Sequence, residues 1–163
     1  MKKILFVCTG NTCRSSMAEG LFRHALVSRK ELKEQYNVAS AGIAAIDGDP
    51  ASVNSIEALK SIWGIDISAH RARSLTKDDV ENSDIILTMT RNHKDIIVSA
   101  FPHAASKVFT LKEYVADVDK DGKDSSYDVV DPYGAPISIY KKCAEELKYL
   151  IDLLIEKLKQ TNE

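Results

Sequence analysis

Only three cysteines occur in the 163 residues, an odd number that does not suggest a structural disulfide framework. An excess of charge is missing too. The 22 Lys and Arg nearly balance 24 Asp and Glu, giving a formal net charge of -2 and a pI near 6.1. That balance argues against a nucleic-acid binder. No apolar stretch is long enough to span a bilayer, so no membrane association is expected. Lys2 and Lys3 precede an apolar run, but it stops at Cys8-Thr9-Gly10, too early for a secretory signal core. No internal repeat and no linker breaks the chain, which reads as one cytoplasmic domain over residues 1–163. His24, His93 and His103 have no partners at ligand spacing, so neither a zinc-type site nor a cofactor is implied.

What is present is ordinary soluble composition, 44% hydrophobic and 28% charged, arranged as alternating strand and helix patterns. Ile4 to Val7 reads as a buried strand, followed by a helix carrying Met17, Leu21, Phe22, Ala25 and Leu26 on one face. A second strand is expected from Asn37 to Ala41. Asp49-Pro50 then offers an N-cap and first-turn proline for a helix with Ile56, Leu59 and Ile62 inward, stopped by Gly64. Thr76 and Asp79 form a capping-box pattern for a short helix, and Ile85-Ile86-Leu87 reads as strand three. Asn92 is placed to cap a helix through Ile96 and Ile97 that ends before Pro102. Val108 to Leu111 reads as strand four. Tyr140, Cys143, Leu147, Leu150, Ile151, Leu154 and Leu158 then recur at spacings of three and four, one apolar face of a long last helix. The alternation predicts an α/β fold, doubly wound, with helices on both faces of a four-stranded parallel sheet. In such a sheet ligands bind beyond the carboxyl ends of the strands at the topological switch point, and a loop directly after strand one fits that rule.

That loop is Cys8-Thr9-Gly10-Asn11-Thr12-Cys13-Arg14-Ser15. Lying at a helix N-terminus, its backbone N–H groups and the helix dipole favour an anion. Gly10 can adopt positive φ and Asn11 tolerates it, so the chain can curl its N–H groups into a cradle. No carboxylate interrupts the stretch, and the planar fork of Arg14 matches two phosphate oxygens. Cys8, beside that cation and the helix N-terminus, is placed to react as a thiolate, a nucleophile needing no separate base. Ser15 can donate to its sulfur.

The run Val7 to Ser15 resembles the active-site loop of the low-molecular-weight protein tyrosine phosphatases. The similarity extends through Met17-Ala18-Glu19, Ser40-Ala41-Gly42, residues Gly64 to Arg73 and Asp131-Pro132-Tyr133-Gly134, covering nearly the whole chain. It implies a flavodoxin-like strand order 2-1-3-4, phosphorylated protein substrates and a phosphocysteine intermediate on Cys8. Ser16 departs from the family's usual proline; with Glu19 it reads as a capping box. The resemblance makes Asp131 the proton donor, while Pro132 biases it toward an extended conformation. It puts Tyr133 at the rim, and Ser40 and His70 against Asn11, holding the strained turn. Cys13 lies across the cradle from Cys8, where a reversible disulfide would protect the reactive sulfur.

Three further patterns bear on this reading. The loop also resembles that of thioredoxin-coupled arsenate reductases, whose chemistry needs two more cysteines after strand three. Here that region is Thr88-Met89-Thr90-Arg91, and Cys143 belongs to a helix face, so reduction is disfavoured. Asp117 to Gly122 resembles the start of a calcium loop, with Asp128 at its twelfth position in place of the usual Glu, but the stretch reads better as a solvated acidic surface loop. Among phosphatases, Thr12 and the segment Val108 to Val115 resemble the bacterial branch that removes phosphate from arginine. A threonine hydroxyl beside the phosphate suits a planar polar leaving group or the attacking water, whereas an apolar residue there favours a phenol ring.

Overall fold

A computed structural model describes residues 1–120 and 126–161. Four strands, β1 (Lys2–Cys8), β2 (Tyr36–Gly42), β3 (Ile85–Thr88) and β4 (Val108–Thr110), form an all-parallel sheet in the order β2-β1-β3-β4. The chain leaves β1 on one side to reach β2 and returns on its other side as β3, so the switch point falls at the end of β1. The side-chain alternation of β1 serves both layers. Ile4, Phe6 and Cys8 enter one core, Leu5 and Val7 the other, all nearly inaccessible to solvent.

The larger core lies under α1 (Arg14–Val27), α2 (Lys30–Gln35), α3 (Val53–Trp63), α6 (Leu111–Val115) and α7 (Ile137–Thr161). α7 contributes Leu147, Leu150, Ile151, Leu154, Ile155 and Leu158, and packs on α1, α3 and α6. Each such aliphatic side chain, fully buried, stabilises by roughly 1.5–3 kcal/mol, which outweighs differences in helix propensity of under about 1 kcal/mol per residue. The smaller core, on the opposite face, takes Val80 from α4 (Lys77–Asn82) and Ile97 from α5 (Arg91–Ala100).

Capping chemistry sets the boundaries, and several differ from the sequence expectation. Thr76 and Asp79 do form a capping box for α4, and Gly64 ends α3 with φ 68°. α3, however, is capped by Ser52, whose Oγ accepts from Ser55 N at 3.2 Å; Asp49-Pro50 stays in the preceding loop, where Pro50 bridges Arg71. Thr90 rather than Asn92 caps α5. Strand β4 stops at Thr110 because Thr110 and Glu113 form another capping box, which turns Leu111 into the first residue of α6. The proposed Ser16–Glu19 capping box does not form. α1 already begins at Arg14, so Ser16 lies inside it and its Oγ donates back to Cys13 O at 2.9 Å. Glu19 is engaged instead by Ser40 and Arg23. The first turn of α1 is consequently free of side-chain caps and of acidic residues.

The centre of the suspected calcium loop, with Asp121 and Gly122, lies outside the described residues. Of its flanking carboxylates, Asp117 pairs with Lys157, Asp119 accepts from Tyr149, and Asp128 accepts from Arg91 N.

Candidate active site

The loop between β1 and α1 closes around the Cys8 sulfur. Asn11 N donates to Cys8 Sγ at 3.3 Å, and Ser15 Oγ lies 2.9 Å from the same sulfur. The direction of the second bond follows from the neighbours. Asn11 Nδ2 donates to Ser15 Oγ at 2.8 Å, filling an acceptor site and leaving the serine's proton for the sulfur. Two hydrogen-bond donors thus converge on the one sulfur.

The turn depends on Asn11, the one non-glycine residue with positive φ (58°) among those described. Gly10, expected to share that role, does not adopt positive φ; the asparagine takes it because its side chain can be bonded on every polar atom. Nδ2 reaches Ser40 Oγ at 2.9 Å as well as Ser15. Oδ1 accepts from Arg73 N at 3.1 Å, and the carbonyl accepts from His70 Nε2 at 2.7 Å. A carbonyl only accepts, so His70 carries its proton on Nε2. Ser40 in turn donates to Glu19 Oε1 at 2.8 Å. The left-handed turn costs on the order of 1 kcal/mol, and a buried, fully bonded amide offsets it.

The surroundings press the loop from three further sides. Gly42, at the end of β2, runs so close that a Cβ there would lie 2.6 Å from Thr9 O and 3.0 Å from Asn11 N. Ser52 N donates to Thr12 O at 3.0 Å, tying the start of α3 to the loop. Cys13 Sγ contacts Ser52 Oγ and Tyr140 OH, both at 3.5 Å. Burial, with the Cys13 sulfur next to it, pushes the Tyr140 phenol up to about 12.

Arg14, only 4% exposed, donates from Nη1 to Val129 O at 3.0 Å and sets Nη2 3.5 Å from Asp131 Oδ2. Its buried Nε has no partner among the described residues, a donor available to an anion. Asp131 Oδ1 accepts from Tyr133 N at 3.1 Å, fixing the carboxylate's direction at the mouth. Thr12 and Tyr133 complete a cavity of about 240 Å³ lined also by Cys8, Thr9, Gly10, Cys13, Arg14 and Asp131. Tyr133 is 77% exposed at its edge. The cavity combines a cysteine sulfur, a fixed cation, uncapped helix N–H groups and one carboxylate. That set can bind a phosphoryl group, accept it on sulfur and protonate what leaves.

Three contributors escaped the sequence reading. His93 lies against Thr9, Glu19 supports Ser40, and the Val129 carbonyl holds Arg14. None carries a local sequence signal, because each acts across 21 residues or more of chain. Cys143 is confined to the α7 face, its thiol pushed up to about 12 chiefly by burial, and it contacts Val130 O. Cys8, Cys13 and Cys143 are all free.

Comparison with known proteins agrees with this architecture. The family model for low molecular weight phosphotyrosine protein phosphatase matches residues 3–163. A protein from Geobacillus stearothermophilus named protein-arginine-phosphatase is 44% identical over 156 residues, 96% of this chain and 95% of its own. A Staphylococcus epidermidis protein named low molecular weight protein-tyrosine-phosphatase PtpB is 37% identical, covering 92% of this chain and 94% of that one. The crystal structure of a low molecular weight protein tyrosine phosphatase from T. tengcongensis superposes with a TM-score of 0.84 at 48% identity. That match covers 96% of this chain and 99% of the other. With loop, fold and relatives in agreement, the chain belongs to the low molecular weight phosphotyrosine protein phosphatase family and is a cysteine-dependent protein phosphatase.

Proposed function

We propose that this phosphatase removes phosphate from arginine side chains of proteins, with Cys8 as nucleophile, Arg14 as phosphoryl clamp and Asp131 as proton donor. In the first step the Cys8 sulfur attacks phosphorus and the bond to the leaving nitrogen breaks. The nitrogen keeps the electron pair and takes a proton from Asp131. In the second step water attacks the S-phosphoryl group, Asp131 takes the water's proton, and the departing sulfur receives the Ser15 hydrogen bond. Thr9, Gly10, Asn11, Thr12 and Cys13 supply the wall of the bowl around the phosphoryl oxygens. Three free thiols fit a reducing compartment such as the cytoplasm.

The observation that carries the choice of arginine is Thr12, which lines the mouth beside Cys8 with a hydroxyl where an apolar side chain would favour a phenol ring. The Geobacillus relative named for arginine supports it. Phosphotyrosine is the second reading, favoured by the exposed ring of Tyr133 at the rim, on which a flat side chain can stack. An arsenate-reductase reading has no support here, since Cys143 is buried and held as a thiol. Replacing Thr12 by Ile is expected to lower kcat/KM on a phosphoarginine peptide relative to a phosphotyrosine peptide. An unchanged ratio overturns the arginine assignment.

A further inference from the structure

His93 occupies the first turn of α5, where its backbone N–H donates to the cap Thr90 Oγ1 at 3.1 Å. Its ring is 5% exposed and points Nε2 at Thr9 Oγ1, 2.9 Å away, across 84 residues of chain. Nδ1 is buried and has no partner among the described residues. Thr9 follows the nucleophile directly and lines the same cavity.

We infer that His93 is a positioning residue for phosphoryl transfer, donating from Nε2–H to the Thr9 hydroxyl so that the threonine's own proton is offered to an oxygen of the bound phosphoryl group. The two tautomers differ in what they leave unsatisfied. With the proton on Nδ1, a buried N–H is orphaned, and Nε2 consumes the only proton of the Thr9 hydroxyl. With it on Nε2, a lone pair alone is left over, and orphaned N–H groups are the rarer and costlier case. Thr9 Oγ1 then accepts from His93 and keeps its proton for a second partner. The cavity beside Cys8 is where such an acceptor is brought.

The charged groups around the ring keep this arrangement constant near neutrality. Burial first, and then the Arg14 guanidinium, lower the His93 pKa to about 4, against the opposing pull of Asp128 and Asp131. The ring is therefore neutral near pH 7, with a single N–H.

The inference rests on the phosphatase chemistry and is independent of whether arginine or tyrosine is the preferred side chain. It is tested with p-nitrophenyl phosphate on four variants: His93→Phe, Thr9→Val, the double variant and His93→Gln, whose amide N–H mimics Nε2–H. Each of the first two is expected to lower kcat/KM by about ten- to a hundredfold, the loss of one hydrogen bond to a charged group. The double variant falls no further than the singles, and His93→Gln recovers most of the loss. Losses that multiply in the double variant, or a glutamine as impaired as phenylalanine, overturn the inference. If His93→Phe fails to fold, imidazole ¹⁵N NMR of the wild-type protein decides: a proton on Nε2 is expected, and one on Nδ1 overturns it. A wild-type protein unable to turn over any phosphate ester would instead count against the proposed function and leave the tautomer result standing.

Discussion

Arg14 Nη2 stands 3.5 Å from Asp131 Oδ2, so the cation of the first loop and the carboxylate of the last loop share one site. The same guanidinium holds the second loop in place, since Nη1 bonds Val129 O two residues before the acid. A lysine keeps the charge but lacks the planar fork needed for the carbonyl and the phosphoryl group together. Arg14→Lys is therefore expected to lose about two orders of magnitude in kcat/KM, with most of the folded stability retained. Steady-state kinetics alongside a thermal melt checks this, and near-normal turnover would show that charge alone suffices.

Asp131 holds one carboxylate oxygen on Tyr133 N and the other toward Arg14, the geometry that the proposed proton transfer uses. Asp131→Asn is expected to slow turnover by roughly 10²–10⁴-fold on substrates whose leaving group needs a proton. The deficit should shrink on aryl phosphates with acidic phenols. A plot of rate against leaving-group pKa reads this directly; equal slopes for wild type and variant would remove Asp131 from the chemistry.

Gly42 is where the sheet and the loop come closest. A Cβ there meets Thr9 O at 2.6 Å, Ala45 Cβ at 2.9 Å and Asn11 N at 3.0 Å, and two of those three atoms are loop backbone. Gly42→Ala should cost about 1–3 kcal/mol of stability through overpacking. Its larger effect should be on kcat/KM, because the displaced atoms carry the bowl's geometry. A folded variant with full activity would show that the loop yields without consequence.

Acid should weaken the fold through His93. Its folded pKa is lowered to about 4 by burial and by Arg14, whereas in the unfolded chain it titrates near 6.5. Between those values the unfolded chain holds a proton that the folded one refuses, so stability rises with pH across this window and falls on acidification. The full effect is on the order of 3 kcal/mol. Urea titrations from pH 7 to pH 4 should show a shallower decline for His93→Gln than for the wild type. Parallel declines would mean that the ring is protonated in the folded state.

The residue order around Cys8 fixed the strand–turn–helix unit, because an apolar run, a polar turn and an amphipathic face are local properties of neighbouring residues. The long apolar face of α7 and the pairing of Thr76 with Asp79 were legible for the same reason, whereas the strand order came from the family resemblance. Cap choices between near neighbours were not. Ser52 over Asp49 and Thr90 over Asn92 depend on where the chain must enter the helix to reach the sheet. The Ser16–Glu19 pattern misled because the loop runs straight into α1 at Arg14, and Glu19 was drawn to a serine 21 residues away. Tertiary packing alone decided that Asn11 rather than Gly10 takes the left-handed turn, that Val129 anchors Arg14, and that His93 meets Thr9. Those choices rest on hydrogen bonds and desolvation between segments far apart in the chain, which no local pattern encodes.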